Sequence, residues 1–323
     1  MTVVLEAALK SAILAFLLLT ATAYTVFLER RLLGKFHHRI GPNRVGPFGL
    51  LQPLADGIKL LAKEDFVPRA ADRWVYLAAP LIVVVAALGA YAVIPFGPPI
   101  ELFGRRVHLY LANPSAGILL VLGASSIGVY GLILGGWSSN SKYALLGSLR
   151  SAAQVVSYEL AWGLSVLSVV LSAGTLSLVG IVEAQQDLWL VAKQPLAFAV
   201  FFLSALAETN RAPFDLPEAE QELIAGYHTE YGGLKFVMFY IAEYVAIITQ
   251  SALTTLLFFG GWLGPGRPGV AWFLLKTVAF VGVFIWIRAT VPRVRYDHLM
   301  GLSWKLLIPL ALGNLVVTSF FVV

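Results

Sequence analysis

The 323-residue sequence contains no cysteine. Without thiol groups the chain forms no disulfide bond and no cysteine-ligated zinc site or iron–sulfur cluster of its own. It also lacks a Walker phosphate-binding loop and a GxGxxG sequence after a predicted strand, the common nucleotide-binding motifs. The sequence therefore predicts that this chain by itself holds no metal, redox centre or nucleotide.

Charged residues are scarce. They make up 13% of the chain, hydrophobic residues make up 59%, and the mean hydropathy is +0.80. These values are far from those of soluble domains, and the modest net charge of +5 does not indicate nucleic-acid binding. The composition predicts an all-α polytopic membrane protein in a single membrane domain.

Eight apolar stretches are long enough to cross the membrane as helices, since a span needs roughly 20 apolar residues. The first resembles a signal peptide because Ala21 and Ala23 mimic a cleavage site, but Arg30 and Arg31 follow it like a cytoplasmic anchor, which favours an uncleaved helix. The predicted spans are 8–28, 74–95, 114–137, 149–171, 188–207, 236–259, 270–288 and 302–323.

The distribution of basic residues predicts the orientation. Most of the 23 Lys and Arg residues follow the first, third, fifth and seventh spans. The positive-inside rule places these four connections in the cytoplasm and both chain termini outside.

The first connection contains a predicted amphipathic helix at about 50–64. Leucine and isoleucine side chains share one face of this helix, and polar side chains that include Asp56 and Lys59 share another. The pattern is typical of a helix that lies in the membrane interface. A solvated connector is the alternative, and Asp56 and Lys59 are spaced for an ordinary ion pair within one helix.

The connection 208–235 is unusually acidic. Asp215 and Glu218 have the spacing of a helix capping box, which explains part of the pattern. Closely spaced carboxylates raise one another's pKa, so the remaining acids favour a proton-handling role over a solvated surface. Six of the 18 acidic residues lie here: Glu208, Asp215, Glu218, Glu220, Glu222 and Glu230.

Two more carboxylates, Glu159 and Glu243, lie inside predicted spans. An ionised carboxylate at that depth is costly and usually faces a bundle interior or a wet cavity. A hydrogen bond between packed helices is the alternative, and Lys276 lies too near the outer end of its span to be a certain partner. With the acidic connection, these glutamates predict a polar path from the cytoplasmic surface toward the middle of the membrane.

Four strings resemble one known family. GPNRVGPFGLLQPLAD in the first connection, GGWSSNSKYALLGSLRSAAQVVSYE at 135–159, ETNRAPFDLPEAEQEL in the acidic connection and RYDHLM at 295–300 are similar to the H subunits of bacterial NADH:quinone oxidoreductase, respiratory complex I. The resemblance extends over essentially the whole chain.

The resemblance implies a subunit that carries no cofactor and lies where the membrane arm meets the peripheral arm. By matching motif positions, it assigns Glu29, Arg30, Asp56 and Lys59 to a quinone tunnel. It places Arg211, Glu208, Glu218, Glu220, Glu222 and Glu230 in an acidic loop beside the tunnel, and Glu159 and Glu243 on a carboxylate path for proton coupling. It assigns Arg288, Arg293, Arg295 and Asp297 to the junction with the peripheral arm.

The resemblance also implies partners. Quinone is the substrate, while FMN and the iron–sulfur clusters belong to peripheral-arm subunits, one of which provides the quinone head-group site. Small membrane subunits and antiporter-like subunits are expected beside this chain, in the plasma membrane of a bacterium or an organellar inner membrane. The alternatives are a membrane component of an energy-converting hydrogenase, a stand-alone ion transporter and a structural anchor that moves no protons.

The acidic connection generates a prediction. Glu218→Gln or Glu222→Gln removes one charge and retains the side-chain size, so we expect slower turnover in a fully assembled complex. Activity assays on membranes with matched subunit content would measure this, and unchanged activity in both variants would contradict a proton-handling role.

Overall fold

The computed structural model describes residues 2–102, 104–216 and 225–322, and the described chain is predominantly helical. The predicted all-α architecture is therefore confirmed. The acidic residues Glu218, Glu220 and Glu222 lie outside the described residues, so their predicted roles stay predictions.

The described chain contains twelve α-helices, a short hairpin and brief turns of other helix types. The helices are α1 (Thr2–Phe36), α2 (Gln52–Leu61), α3 (Arg73–Gly89), α4 (Gly117–Ser138), α5 (Lys142–Ala173), α6 (Leu178–Glu183), α7 (Leu190–Lys193), α8 (Pro195–Glu208), α9 (Gly233–Phe258), α10 (Val270–Thr290), α11 (Tyr296–Leu302) and α12 (Ile308–Val322). The antiparallel hairpin pairs β1 (Ile100–Leu102) with β2 (Arg105–Val107), the 3₁₀ turns are Pro47–Gly49, Ala90–Ala92 and Gly226–His228, and a π-helical turn, Ser303–Leu307, joins α11 to α12.

Seven helical segments of the described chain are long and apolar enough to cross a membrane. They overlap seven of the eight predicted spans, some with different ends. They are Leu5–Phe36, Arg73–Ala92, Gly117–Ser138, Lys142–Ala173, Gly233–Phe258, Val270–Thr290 and Tyr296–Phe321.

The fifth predicted span, 188–207, is divided into α7 and α8. The 14 residues of α8 extend roughly 21 Å at 1.5 Å per residue, less than the hydrocarbon thickness of about 30 Å. The break lies at Pro195, whose nitrogen has no hydrogen to donate. Gln194 beside it bonds to Ser172, Asn314 and Thr318, so polar groups at the break are satisfied inside the bundle. The total of eight spans and the orientation stay predictions.

Helix α5 lies in the middle of the bundle, where it packs against α4, α8 and α12. Its Tyr158 and Trp162 are fully buried, and the Tyr158 hydroxyl donates to the Leu299 carbonyl of α11 at 2.9 Å. Helix α9 packs against α1, α3 and α10. These two helices contain Glu159 and Glu243, so both glutamates belong to central elements.

Helix α2 lies at the position of the predicted amphipathic helix and is shorter than predicted. Its apolar side chains Leu54, Ile58 and Leu61 are more than half exposed in this chain. The preceding 3₁₀ turn needs Gly49 at φ +80°, where a side chain would be strained and would collide with the Pro42 carbonyl. The helix therefore begins only after this turn, at Gln52.

Lys276 on α10 holds the end of α9. Its Nζ donates to the carbonyl oxygens of Phe259 at 2.6 Å and Gly261 at 3.2 Å, and also to that of Leu263. The ammonium lies 4.5 Å from the ring centre of Trp189. Lys276 thus binds backbone carbonyls that a helix end leaves without donors, and it is not a partner of the intramembrane glutamates.

This contact predicts a loss of stability on substitution. Lys276→Met leaves three carbonyl oxygens without their donor, and we expect a destabilisation of about 2 kcal/mol, the usual cost of such unsatisfied groups. Thermal unfolding of the detergent-solubilised protein would measure it, with Leu275→Met at the exposed neighbouring position as control. An equal unfolding temperature for the two variants would show that the ammonium contributes nothing.

Candidate functional site

Four charged side chains from distant parts of the sequence meet where α1, α9 and α10 approach the segment after α8. Glu29 of α1 is 5% exposed and forms an ion pair with Arg288 of α10. Arg211 lies 3.5 Å from the same Glu29 oxygen and also pairs with Glu243 of α9. We call Glu29, Arg211, Glu243 and Arg288 the buried ion cluster, in which Arg288 is the partly exposed member. Two carboxylates and two guanidinium groups balance in charge, and removal of one member would leave a buried charge uncompensated.

Two tyrosines of α9 cover Arg211. Tyr240 and Tyr244 are one helical turn apart, and their ring centres lie 5.3 and 4.3 Å from the guanidinium carbon. Burial by itself lowers the pKa of Arg211, but the neighbouring Glu243, Tyr244 and Glu29 raise this pKa well above its ordinary value. Arg211 therefore stays charged. Sequence reasoning missed both tyrosines, although the string YIAEY around Glu243 places them on one helix face.

Arg30, the residue after Glu29, links α1 to helix α2 of the loop that follows the first span. Its Nη1 donates to Asp56 of α2 at 2.7 Å, and Gln52 donates to the other oxygen of Asp56 at 2.9 Å. Arg31 donates to the Phe48 carbonyl at 3.0 Å. Asp56 is thus paired with Arg30 and not with Lys59, which is exposed. The intrahelical Asp56–Lys59 pair considered from the spacing is not formed.

A cavity of ≈ 120 Å³ lies between α3, α4, α5 and α9. Most of its walls are apolar, but Ser125, Glu208, Glu243 and Gln250 also line it. Glu243 therefore belongs both to the buried ion cluster and to this polar cavity.

Glu208 lines the cavity, and Glu159 is close enough for the two charges to interact. The hydroxyl of Ser126 donates to Glu159, and the side chain of Ser125 contacts Glu208. Two consecutive serines of α4 thus each contact one carboxylate. They are a second feature that sequence reasoning missed, and the only signal was a Ser-Ser pair within an apolar span.

The end of the acidic connection is fixed by a different contact. Tyr231 stacks on Tyr76 of α3 with ring centres 4.1 Å apart, and the Tyr76 hydroxyl donates to the Glu230 carbonyl at 2.7 Å. Lys235 pairs with Asp65 of the first connection at 2.8 Å. Burial raises the pKa of Tyr231, with Ser138 and Ser139 opposing, so its hydroxyl stays neutral. Glu230 belongs to this contact and not to the buried ion cluster.

The remaining predicted residues lie at the surface. Arg293, Arg295 and Asp297 are exposed, and Arg295 pairs with Asp297 at 2.9 Å. The resemblance assigned Arg288 to the peripheral-arm junction together with these three residues, but in the structure Arg288 forms an ion pair with Glu29. Across the ranges 2–102, 104–216 and 225–322, no group of three or more His, Asp and Glu side chains is arranged to hold a metal ion.

Comparisons with known proteins agree with the resemblance of the four sequence strings. A family model described as NADH dehydrogenase matches residues 9–319. The chain is 55% identical to an H subunit of NADH-quinone oxidoreductase from Geobacter metallireducens, over 96% of this chain and 94% of that protein. It is 55% identical to the H subunit from Protochlamydia amoebophila over 94% and 93% of the two chains. It is 54% identical to the H subunit from Thermomicrobium roseum over 95% and 93%.

The family model and several relatives with the same name match nearly the full length of the chain, and the multi-helical architecture agrees with a membrane subunit. These matches identify the family. This chain belongs to the NADH dehydrogenase family, among the H subunits of NADH-quinone oxidoreductase.

Proposed function

We propose that this chain forms part of the quinone tunnel of a proton-pumping NADH:quinone oxidoreductase and couples quinone reduction to proton translocation. The observation that carries the proposal is the double position of Glu243. It pairs with Arg211 in the buried ion cluster and also lines the cavity that contains Glu208.

The coupling follows from the cost of buried charge. If quinone chemistry changes the charge near Glu29 or Arg288, Arg211 is no longer balanced as before, and its attraction for Glu243 changes. Each pKa unit corresponds to about 1.4 kcal/mol of altered interaction, so a modest change moves a proton on or off a carboxylate. A proton exchanged at Glu243 then alters the field at Glu208, which lines the same cavity, and through it at Glu159, whose charge interacts with that of Glu208.

The tunnel side of the proposal rests on α1 and α2. Arg30 of α1 pairs with Asp56 of α2, and the preceding residue, Glu29, belongs to the buried ion cluster. The proposed tunnel residues and the buried ion cluster therefore share one stretch of α1. The apolar face of α2 is exposed in this chain and suits contact with lipid or with the tail of a quinone. Lys59 borders this region in the proposal but makes no ion pair with the described residues.

The rest of the enzyme would lie on partner subunits. Peripheral-arm subunits would hold FMN, the iron–sulfur clusters and the quinone head-group site, and small and antiporter-like membrane subunits would continue the proton path. We expect the isolated chain to be inactive and to reside in a bacterial plasma membrane. The names of the relatives favour this assignment over the energy-converting hydrogenase and the stand-alone transporter.

Glutamine substitutions test the proton coupling. Glu243→Gln and Glu159→Gln keep the side-chain size and remove the exchangeable charge. We expect the rate of proton pumping to fall by about tenfold or more, because a positioned acid–base group commonly accelerates proton transfer by more than this factor. Pumping would be measured in vesicles that contain the assembled complex. Glu183→Gln, at an exposed carboxylate of α6, is the matched control.

Two readouts separate coupling from assembly in these variants. Electron transfer from NADH to an artificial acceptor upstream of this subunit should stay normal, and the complex should keep its full set of subunits. Normal pumping in both glutamine variants would favour a structural anchor that moves no protons.

Arg30 tests the tunnel. Arg30→Ala removes the contact between α1 and α2, so we expect quinone reduction to slow several-fold while electron transfer to the upstream acceptor is unchanged. Asp56→Asn should act in the same direction, and Arg39→Ala, at an exposed position of the same connection, should have no effect. Equal losses in the quinone and upstream assays would point to defective assembly.

A further inference from the structure

A second cavity lies at the other end of the bundle from the buried ion cluster. It is a groove of ≈ 570 Å³ between α1, α9, α10 and the β1–β2 hairpin. Lys10 near the start of α1, Ala252 near the end of α9 and Val270 at the start of α10 all line it. Glu29 and Arg288 lie toward the opposite ends of α1 and α10. The groove is therefore separate from the proposed quinone and proton path.

The walls of the groove are almost entirely apolar. Leu14, Leu17 and Leu18 of α1 face Phe273 and Leu274 of α10 across it. Water is absent from the hydrocarbon core of a bilayer, so the occupants suited to these walls are an acyl chain or an apolar segment of a partner.

Besides Tyr91 and Tyr110, polar groups line the groove at two levels. Lys10 and the exposed His108 line it next to the hairpin, where Lys10 also pairs with Glu6 at 2.8 Å. Deeper inside, Thr277 also lines the groove and is only 6% exposed. Its hydroxyl has no hydrogen-bond partner among the described residues. An occupant that supplies an acceptor to Thr277 would satisfy this buried group.

We propose that this groove binds one phospholipid with an anionic head group, its acyl chain between α1 and α10 and its phosphate beside Lys10 and His108. An ester oxygen of the lipid is the acceptor suited to Thr277. This site is independent of the proposed function, because it lies apart from the carboxylates that the function uses.

The course of the groove suits a hydrocarbon chain. It follows α1 from Ile13 to Ala21 and α10 from Val270 to Thr277, so a single extended acyl chain can lie along both helices.

The charge of the rim favours an anionic head group. Lys10 and His108 line the groove, and none of its described lining residues is an acid. Glu101 and Arg106, a loose exposed pair 3.8 Å apart, lie on the other face of the hairpin, since their strand neighbours Ile100 and Val107 line the groove. Basic groups at a membrane surface attract anionic lipids, and each contributes roughly a five-fold increase in binding.

Photolabelling of the assembled complex tests the site. The complex would be reconstituted in phosphatidylcholine vesicles that contain a phosphatidylglycerol probe with a photoreactive group in its acyl chain, and labelled peptides would be identified by mass spectrometry. We expect labels within 10–21 of α1 and 270–277 of α10. Lys10→Gln should lower this labelling by about five-fold.

A matched pair of tryptophan variants separates the groove from the general lipid-facing surface. Leu17→Trp fills the groove and should abolish the labels, whereas Leu9→Trp, on an exposed position of α1 outside the groove, should leave them unchanged. NADH:quinone activity, measured in parallel, should be retained in both variants.

Three results would overturn the proposal. They are equal labelling in the Leu17 and Leu9 variants, equal labelling by the corresponding phosphatidylcholine probe, and displacement of the probe by a long-chain quinone but not by unlabelled phosphatidylglycerol. The last result would assign the groove to quinone.

Discussion

The buried ion cluster depends on the high cost of placing charge in an apolar interior. Glu29, Arg211, Glu243 and Arg288 come from three helices and one connection, and each is tolerated because the others balance it. The cluster therefore fixes how α1, α9 and α10 meet the segment after α8. The same electrostatic dependence makes it sensitive, since a charge that changes at one member alters the protonation preference of the rest.

A second constraint is that backbone polar groups inside a membrane need partners within the protein. Where helices break, polar side chains from neighbouring elements supply those partners. Lys276 binds carbonyls after α9, and Gln185 bonds to the Leu256 carbonyl and to the amides of Leu190 and Gly260. These residues resemble functional polar groups in the sequence but hold the breaks in place. The contacts therefore distinguish residues that stabilise helix breaks from candidate coupling residues. Lys276 donates to backbone carbonyls, whereas Glu243 pairs with the charged side chain of Arg211 and lines a cavity.

The two ends of the bundle serve different chemistry in our proposals. At one end, charged residues connect α1 and α2 to the central helices and to the cavity with Glu208. At the other end, a narrow apolar groove with a basic rim suits a lipid. Helices α1, α9 and α10 contribute to both, so a bound lipid would brace the same three helices whose opposite parts hold the buried ion cluster.

The sequence by itself determined the membrane class, most of the long helices and the identity of the acidic candidates, because hydropathy and motif strings are local properties. It also indicated Glu159 and Glu243, since a carboxylate within an apolar run is conspicuous. Only the tertiary structure decided the pairings: Asp56 with Arg30, Arg288 with Glu29, and Tyr240 and Tyr244 with Arg211. Such pairings join residues far apart in the chain, and one-dimensional spacing contains no information on which helix faces meet.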